Sequence, residues 1–348
     1  MSSAWKKLKT ADLQKFLSHC AKDADVYVPY KNDGKWEFSE YAAEKEVNFP
    51  ANIIDVSVKP LFFPKRRPIA EYHEGEQWNL TPVQLPDRPR VIMGVRACDV
   101  SGLLYVDKVF LDGPHKDTVY EAERKRTTII GMVCDEMGPH CHCTDRGLAP
   151  DNTDGMDGVI VRVKNGYLLR ALTDKGEHLL ADTLLKETKE KPAKQTWPKD
   201  KFPIATPDEF MQMYNDSIWH ELSDICLTCG ACTYECPTCV CFLVSDERYG
   251  GRGERVTVWD SCQLTSYARM AGGHNTRKTP ASRVRNRTLD KFAYSHKRYG
   301  RISCTGCGRC VMVCPINRSF PDVAAVLTER VREKQKGKKR TQTKVQGG

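Results

Sequence analysis

Two stretches of this 348-residue chain repeat one cysteine spacing. The first runs Cys226-Leu-Thr-Cys229-Gly-Ala-Cys232-Thr-Tyr-Glu-Cys236-Pro237. The second runs Cys304-Thr-Gly-Cys307-Gly-Arg-Cys310-Val-Met-Val-Cys314-Pro315. Both read C-x2-C-x2-C-x3-C-P, the run that holds cubane [4Fe–4S] clusters in pairs. Three thiolates two residues apart wrap one face of a cubane; the fourth, carried off by a turn of helix, reaches the neighbouring cluster. The spacing therefore predicts crossed ligation. Cys226, Cys229 and Cys232 go with Cys314, and Cys304, Cys307 and Cys310 go with Cys236. Gly230, Gly306 and Gly308 suit loops whose backbone comes close to sulfur. Structural zinc favours two distant cysteine pairs, and covalent haem needs a C-x-x-C-H that the chain lacks.

Sixteen cysteines is a high count for this length. A chain this long needs no disulfides to hold its core, so the density points to metal. Charged residues make up 28% and the hydrophobic set 40%, enough to bury a core in each of roughly two domains. No apolar run nears the about 18–20 residues of a membrane helix. The start, Met1-Ser-Ser-Ala-Trp-Lys-Lys-Leu-Lys9, lacks the apolar stretch of an export signal. These readings predict a soluble, cytoplasmic protein without membrane insertion.

The expected fold class is α+β. A small N-terminal α/β domain covers residues 1–190 and a linker 191–205; a mainly helical dicluster ferredoxin-like domain covers 206–330 and a basic, solvated tail 331–348. Leu13, Phe16, Leu17 and Cys20 predict a first helix capped by Thr10. Asn32-Asp33-Gly34 predicts a hairpin. A strand at Arg90–Arg96, a helix through Leu103–Phe110 and a strand at Thr127–Val133 make a βαβ unit. A second hairpin follows at Lys164-Asn165-Gly166, then a helix over Gly176–Glu187. Thr206-Pro207-Asp208-Glu209 writes a capping box after the linker.

Cys98 and Cys134 each sit just past a predicted strand, so a parallel sheet brings both to one edge, where α/β sites form. Cys141 and Cys143 follow within a short loop. Four thiols converging there can hold a third [4Fe–4S] cluster, with zinc at the same residues as the alternative. Cys239, Cys241 and Cys262 either pack around the clusters or carry another one.

The net charge of +9 is unevenly spread: thirteen Lys and Arg stand against three acids between Arg248 and Arg301. A cubane with four thiolates is a buried anion that needs nearby cations, and positive charge raises its reduction potential. Arg252, Arg255, Arg283, Arg285 and Arg287 are the expected compensators. The alternative reading of this charge is a basic, zinc-stabilised nucleic-acid-binding protein.

The residues Arg96-Ala-Cys98-Asp99, Cys141-x-Cys143, Cys226 through Cys241, Gly253-Glu-Arg255, Trp259-x-Ser-Cys262, Met270-Ala-Gly-Gly-His274, the Arg283/Arg285/Arg287 series and Cys304–Cys314 together resemble a known family. It is the iron–sulfur subunit shared by anaerobic sulfite reductase (its A subunit) and cytoplasmic sulfhydrogenase (its beta subunit). His142 departs from the aromatic residues familiar there. The resemblance implies an electron-transfer subunit of an oxidoreductase complex in anaerobic metabolism. It would relay electrons between a flavin-containing NAD(P)H-oxidoreductase-type subunit and a terminal reductase, hydrogenase or heterodisulfide-reductase-type subunit, with no nucleic-acid partner. No G-x-G-x-x-G follows a strand and no P-loop occurs, which agrees with a non-catalytic carrier.

Overall fold

The structure is a computed structural model that describes residues 4–73, 79–198, 204–317 and 320–346. In chain order the strands are β1 (Lys6–Lys9), β2 (Asp25–Asn32), β3 (Lys35–Glu40), β4 (Arg66–His73), β5 (Asn79–Pro82), β6 (Arg90–Val95), β7 (Thr127–Met132), β8 (Gly158–Val163), β9 (Gly166–Ala171), β10 (Lys186–Glu187), β11 (Phe242–Tyr249) and β12 (Arg252–Trp259). The helices are α1 (Leu13–Asp23), α2 (Ala97–Leu111), α3 (Thr118–Arg126), α4 (Asp174–Leu179), α5 (Pro207–Gln212), α6 (Ile218–Glu221), α7 (Ala231–Tyr234), α8 (Pro280–Leu289), α9 (Ser295–Tyr299), α10 (Arg309–Met312) and α11 (Phe320–Gln346). Among the described residues no helix is long and apolar enough to cross a membrane.

An eight-stranded mixed sheet has the order β10-β1-β9-β8-β7-β6-β2-β3. Its centre, β2, β6, β7 and β8, is parallel. Parallel strands are covered on both faces, which is why β6 is buried at every position. Val91 and Met93 face a core with Phe16, Leu17 and Cys20 of α1. Ile92 and Val95 face the other side, with Val100, Leu103, Val106 and Phe110 of α2. The two alternations, period two in the strand and nearer four in the helices, are those of the sequence. Cys20 is a buried thiol on that helix face, pushed up to about 12 by burial.

Three local expectations need correcting. Thr10 lies in a 3-10 turn and Asp12 stands at the N-cap of α1, without a side-chain bond. The helix expected over Gly176–Glu187 ends at Leu179: the Asp182 carboxylate accepts the Leu184 N–H at 2.7 Å, turning the chain into β10 beside β1. The basic tail expected over 331–348 is helical as far as Gln346, where α11 ends. Val323, Ala324, Leu327 and Val331 recur on one face and bury it against Phe210, Trp219 and Phe292. Lys334 and Arg330 also pair with Asp216. Thr206, by contrast, makes the full capping box with Glu209 at the start of α5.

The second half, expected to be mainly helical, also carries two strands among its described residues. The segment between the two cysteine runs opens with the hairpin β11–β12, ahead of α8 and α9, and β12 pairs antiparallel with β4, from Arg252 opposite His73 to Val258 opposite Arg66. The resulting sheet, β11-β12-β4-β5, takes two strands from each half of the chain. Lys59, buried beside α7, donates to the carbonyls of Tyr234 at 2.9 Å and Cys239 at 3.0 Å. The halves are interlocked.

Candidate metal centres

Gly230 and Gly308 hold matching places in the two cysteine runs, each with φ of 78° at the N-cap of a one-turn helix, α7 or α10. That left-handed turn reverses the chain after the second cysteine of each run. The short helix then carries the fourth cysteine away from the first three. The consequence is crossed. Cys226, Cys229 and Cys232 line one pocket with Cys314, beside Arg287 and Val284, and Cys310 of the other run also borders it. Cys304, Cys307 and Cys310 line a second with Cys236, beside Lys291 and His142. Cys229 is exposed, as are Ile225 and Leu227 on either side of Cys226, so the first pocket opens at the surface.

A third pocket gathers all four N-terminal cysteines. Cys98 stands in the first turn of α2, directly after β6, and Cys134 follows β7, so adjacent parallel strands deliver both to one sheet edge. Cys141 and Cys143 close the pocket from the following loop, and Cys307 and Gly306 complete its wall. This site was expected in a domain apart from the dicluster pair; instead it abuts the second pocket. The His142 N–H donates to the Gly306 carbonyl at 2.8 Å. A Cβ on Gly306 would stand 2.5 Å from the His142 carbonyl, and one on Gly308 would stand 2.3 Å from that of His140. Beneath this contact Arg309 grips Asp99 through two bonds of 2.7 Å, both side chains wholly buried.

Burial pushes the thiols of this region up, Cys134 to about 11 and Cys143 to about 12, with Cys98 also held well above the ordinary range. In the second pocket the direction reverses for two thiols: a hydrogen bond from Cys239 holds Cys236 well below the ordinary range, and His142 and Arg146 outweigh burial at Cys304 and bring it to about 6. Ligation to iron supplies the ionisation that burial resists. Among the described residues no three His, Cys, Asp or Glu side chains gather closely enough to hold a single metal ion. Thiolate is a soft ligand that suits iron–sulfur clusters as well as zinc.

The buried cations give the independent test of fit. Arg96 is fully buried at the third pocket and donates to the carbonyls of Met132, Val133 and Pro50. Lys291 is 2% exposed at the second and donates to Thr238 Oγ1 at 2.7 Å and the Ser303 carbonyl at 3.3 Å. Those hydrogen-bond partners are neutral; Asp135 near Arg96 and Asp290 near Lys291 supply part of the counter-charge, and burying a cation costs several kcal/mol unless it is compensated. An anionic group held by cysteine thiolates supplies the remainder. Arg287 touches the sulfur and carbonyl of Cys232 at the first pocket.

Of the arginines singled out in the sequence, only Arg287 meets a cysteine of the runs among the contacts seen. Arg283 is buried but caps the carbonyls of Arg277 and Lys278. Arg285 lies over the Tyr214 ring at 4.0 Å. Arg252 and Arg255 sit on the exposed end of β12, with Arg255 on Asp246. A charge count could not find Arg96 or Lys59. Lys291 had a signal, standing four residues after Arg287 and so on the same helical face.

Residues 225–318 match the 4Fe-4S dicluster domain family. The chain carries an iron–sulfur dicluster domain. It is also 28% identical over 324 residues to the sulfhydrogenase 2 subunit beta of Pyrococcus furiosus, which covers 89% of this chain and 94% of that relative. The resemblance read from the scattered motifs thus extends along nearly the whole chain, and the dicluster domain makes it an iron–sulfur electron-transfer protein. No solved structure matches it.

Proposed function

We propose that the chain holds three [4Fe–4S] clusters in a row and serves as the electron-relay subunit of a cytoplasmic oxidoreductase complex. The observation that carries this reading is the sharing of walls. Gly306 and Cys307 line both the third and second pockets; Arg287 and Cys310 line both the second and first. Cys98, Cys134, Cys141 and Cys143 would hold one cluster, Cys236, Cys304, Cys307 and Cys310 the next, and Cys226, Cys229, Cys232 and Cys314 the last. When bound, such clusters supply one-electron transfer over a wide range of potentials. The protein's own part is to exclude water, fix the thiolates and place Arg96, Lys291 and Arg287 beside them. By likeness to the sulfhydrogenase subunit, the partners are a flavin-containing NAD(P)H-oxidising subunit and a terminal reductase or hydrogenase subunit.

The test is an iron count on the full chain, reconstituted without oxygen. About twelve irons per chain are expected for three cubanes, falling to about eight in Cys141→Ser. A wild-type count of about eight would leave a two-cluster carrier. The isolated chain should not oxidise NADH until the flavin subunit is added.

A further inference from the structure

Cys241 and Cys262 belong to none of the three four-cysteine pockets described above, yet the fold brings them together. Cys241 is the residue before β11, and its carbonyl accepts the Asp260 N–H at 3.0 Å, one step beyond the last pair of the hairpin. Cys262 follows in the next turn, 8% exposed, held from both sides. Ser261 is fully buried and accepts from Thr233 Oγ1 at 2.8 Å; Gln263 is fixed on the Arg283 carbonyl at 3.0 Å and touches the Cys262 sulfur at 3.6 Å. The two cysteine side chains lie within hydrogen-bonding reach of each other, and the Tyr267 hydroxyl reaches Cys241. Hairpin register and a buried turn thus bring the two cysteines together at the foot of the hairpin, the first condition for an S–S bond. Cys241 is partly exposed while Cys262 is buried, which makes Cys241 the sulfur that meets a reagent from outside.

We propose that Cys241 and Cys262 form a reversible dithiol–disulfide site that responds to low-molecular-weight disulfides and thiols. The Cys241 thiolate attacks one sulfur of an external disulfide. That bond breaks, one thiolate leaves, and Cys241 carries the mixed disulfide. Cys262 gives its proton to solvent and attacks the Cys241 sulfur; the second external thiolate leaves and the internal S–S bond closes. Two protein thiols are oxidised by two electrons and one external disulfide is reduced to two thiols. Cys262 donating to Cys241 favours the Cys241 thiolate, the form that reacts. The site is coupled to the first pocket through the turn itself: a Cβ on Gly230 would meet Ser261 Oγ at 2.7 Å, and Gly230 lies next to Cys229. Closing the bond would tie the foot of the hairpin to the turn that packs on that cysteine loop.

The experiment equilibrates the full-length, iron-loaded chain anaerobically with graded mixtures of reduced and oxidised glutathione. Samples are quenched in acid, alkylated with N-ethylmaleimide and mapped by peptide mass spectrometry, with iron counted in parallel. A Cys241–Cys262 linked peptide should appear with one two-electron midpoint, while iron stays constant. Cys241→Ser and Cys262→Ser should lose the link and keep the wild-type iron count. Full alkylation of both cysteines at every ratio would overturn the proposal, as would iron loss of about one cluster in either variant, which would make the pair ligands. A link forming in a chain that binds no iron would defeat the cluster reading and leave this site standing.

Discussion

Lys291 shows at single-residue scale what the pockets demand. Burial alone would lower an ammonium, as it lowers Lys59 to about 8, but Lys291 is held well above the ordinary lysine range by the neighbouring Cys236 and Cys239 sulfurs. Its hydrogen bond to Thr238 continues to Cys236, 3.2 Å from the Thr238 hydroxyl. A fixed positive charge there favours the more negative, reduced form of whatever the second pocket holds. Lys291→Met should therefore move one cluster's midpoint to lower potential in a potentiometric EPR titration, and Lys291→Arg should restore most of it. An unchanged set of midpoints would remove Lys291 from any tuning role. The cysteines were legible because spacing is written in sequence. The cations were not, because the number of arginines in a segment says nothing about which ones the packing turns inward: Arg252 and Arg255 are in water, and Arg96 caps a strand end far from the basic segment.

Among the elements, those with a local signature were readable. The hairpin at Asn32–Gly34, the strand–helix–strand from Arg90 to Met132 and the capping box at Thr206 each carry their own instruction within a few residues. The β12–β4 ladder carries none, since its partners lie some 180 residues apart and neither strand alternates cleanly. The meeting of the His140–Cys143 loop with the Gly306–Gly308 turn before α10 is equally silent, and it is a close backbone-to-backbone joint. Gly306→Ala would force a methyl group against backbone that cannot swing aside; Gly250→Ala, at a similar φ of 66°, meets nothing within 4 Å. The latter should cost roughly 1 kcal/mol of backbone strain. The former should lower the anaerobic melting temperature several times further and release iron from the second and third pockets. Equal effects of the two would show that the joint is looser than its contacts imply.

For the whole molecule, the interlocked halves decide what can be cut apart. Residues 1–195 alone leave β4 without β12, Asp99 without Arg309 and the third pocket without its Gly306–Cys307 wall. That fragment should remain insoluble or iron-poor when expressed by itself, and gain solubility and iron when co-expressed with residues 196–348. A soluble fragment loading about four irons unaided would mean the N-terminal half is self-sufficient. The same interlocking sets a timetable on the ribosome. The chain emerges with β4 bare and the thiols of Cys98, Cys134, Cys141 and Cys143 made long before β12 and Gly306 exist to cover them. At about 5–20 residues per second, the sheet edge waits on the order of ten to forty seconds for its partner strand. On the three-cluster reading proposed above, iron would reach the earliest-made cysteines only after the chain is complete, or with a helper that shields them while it is still being written.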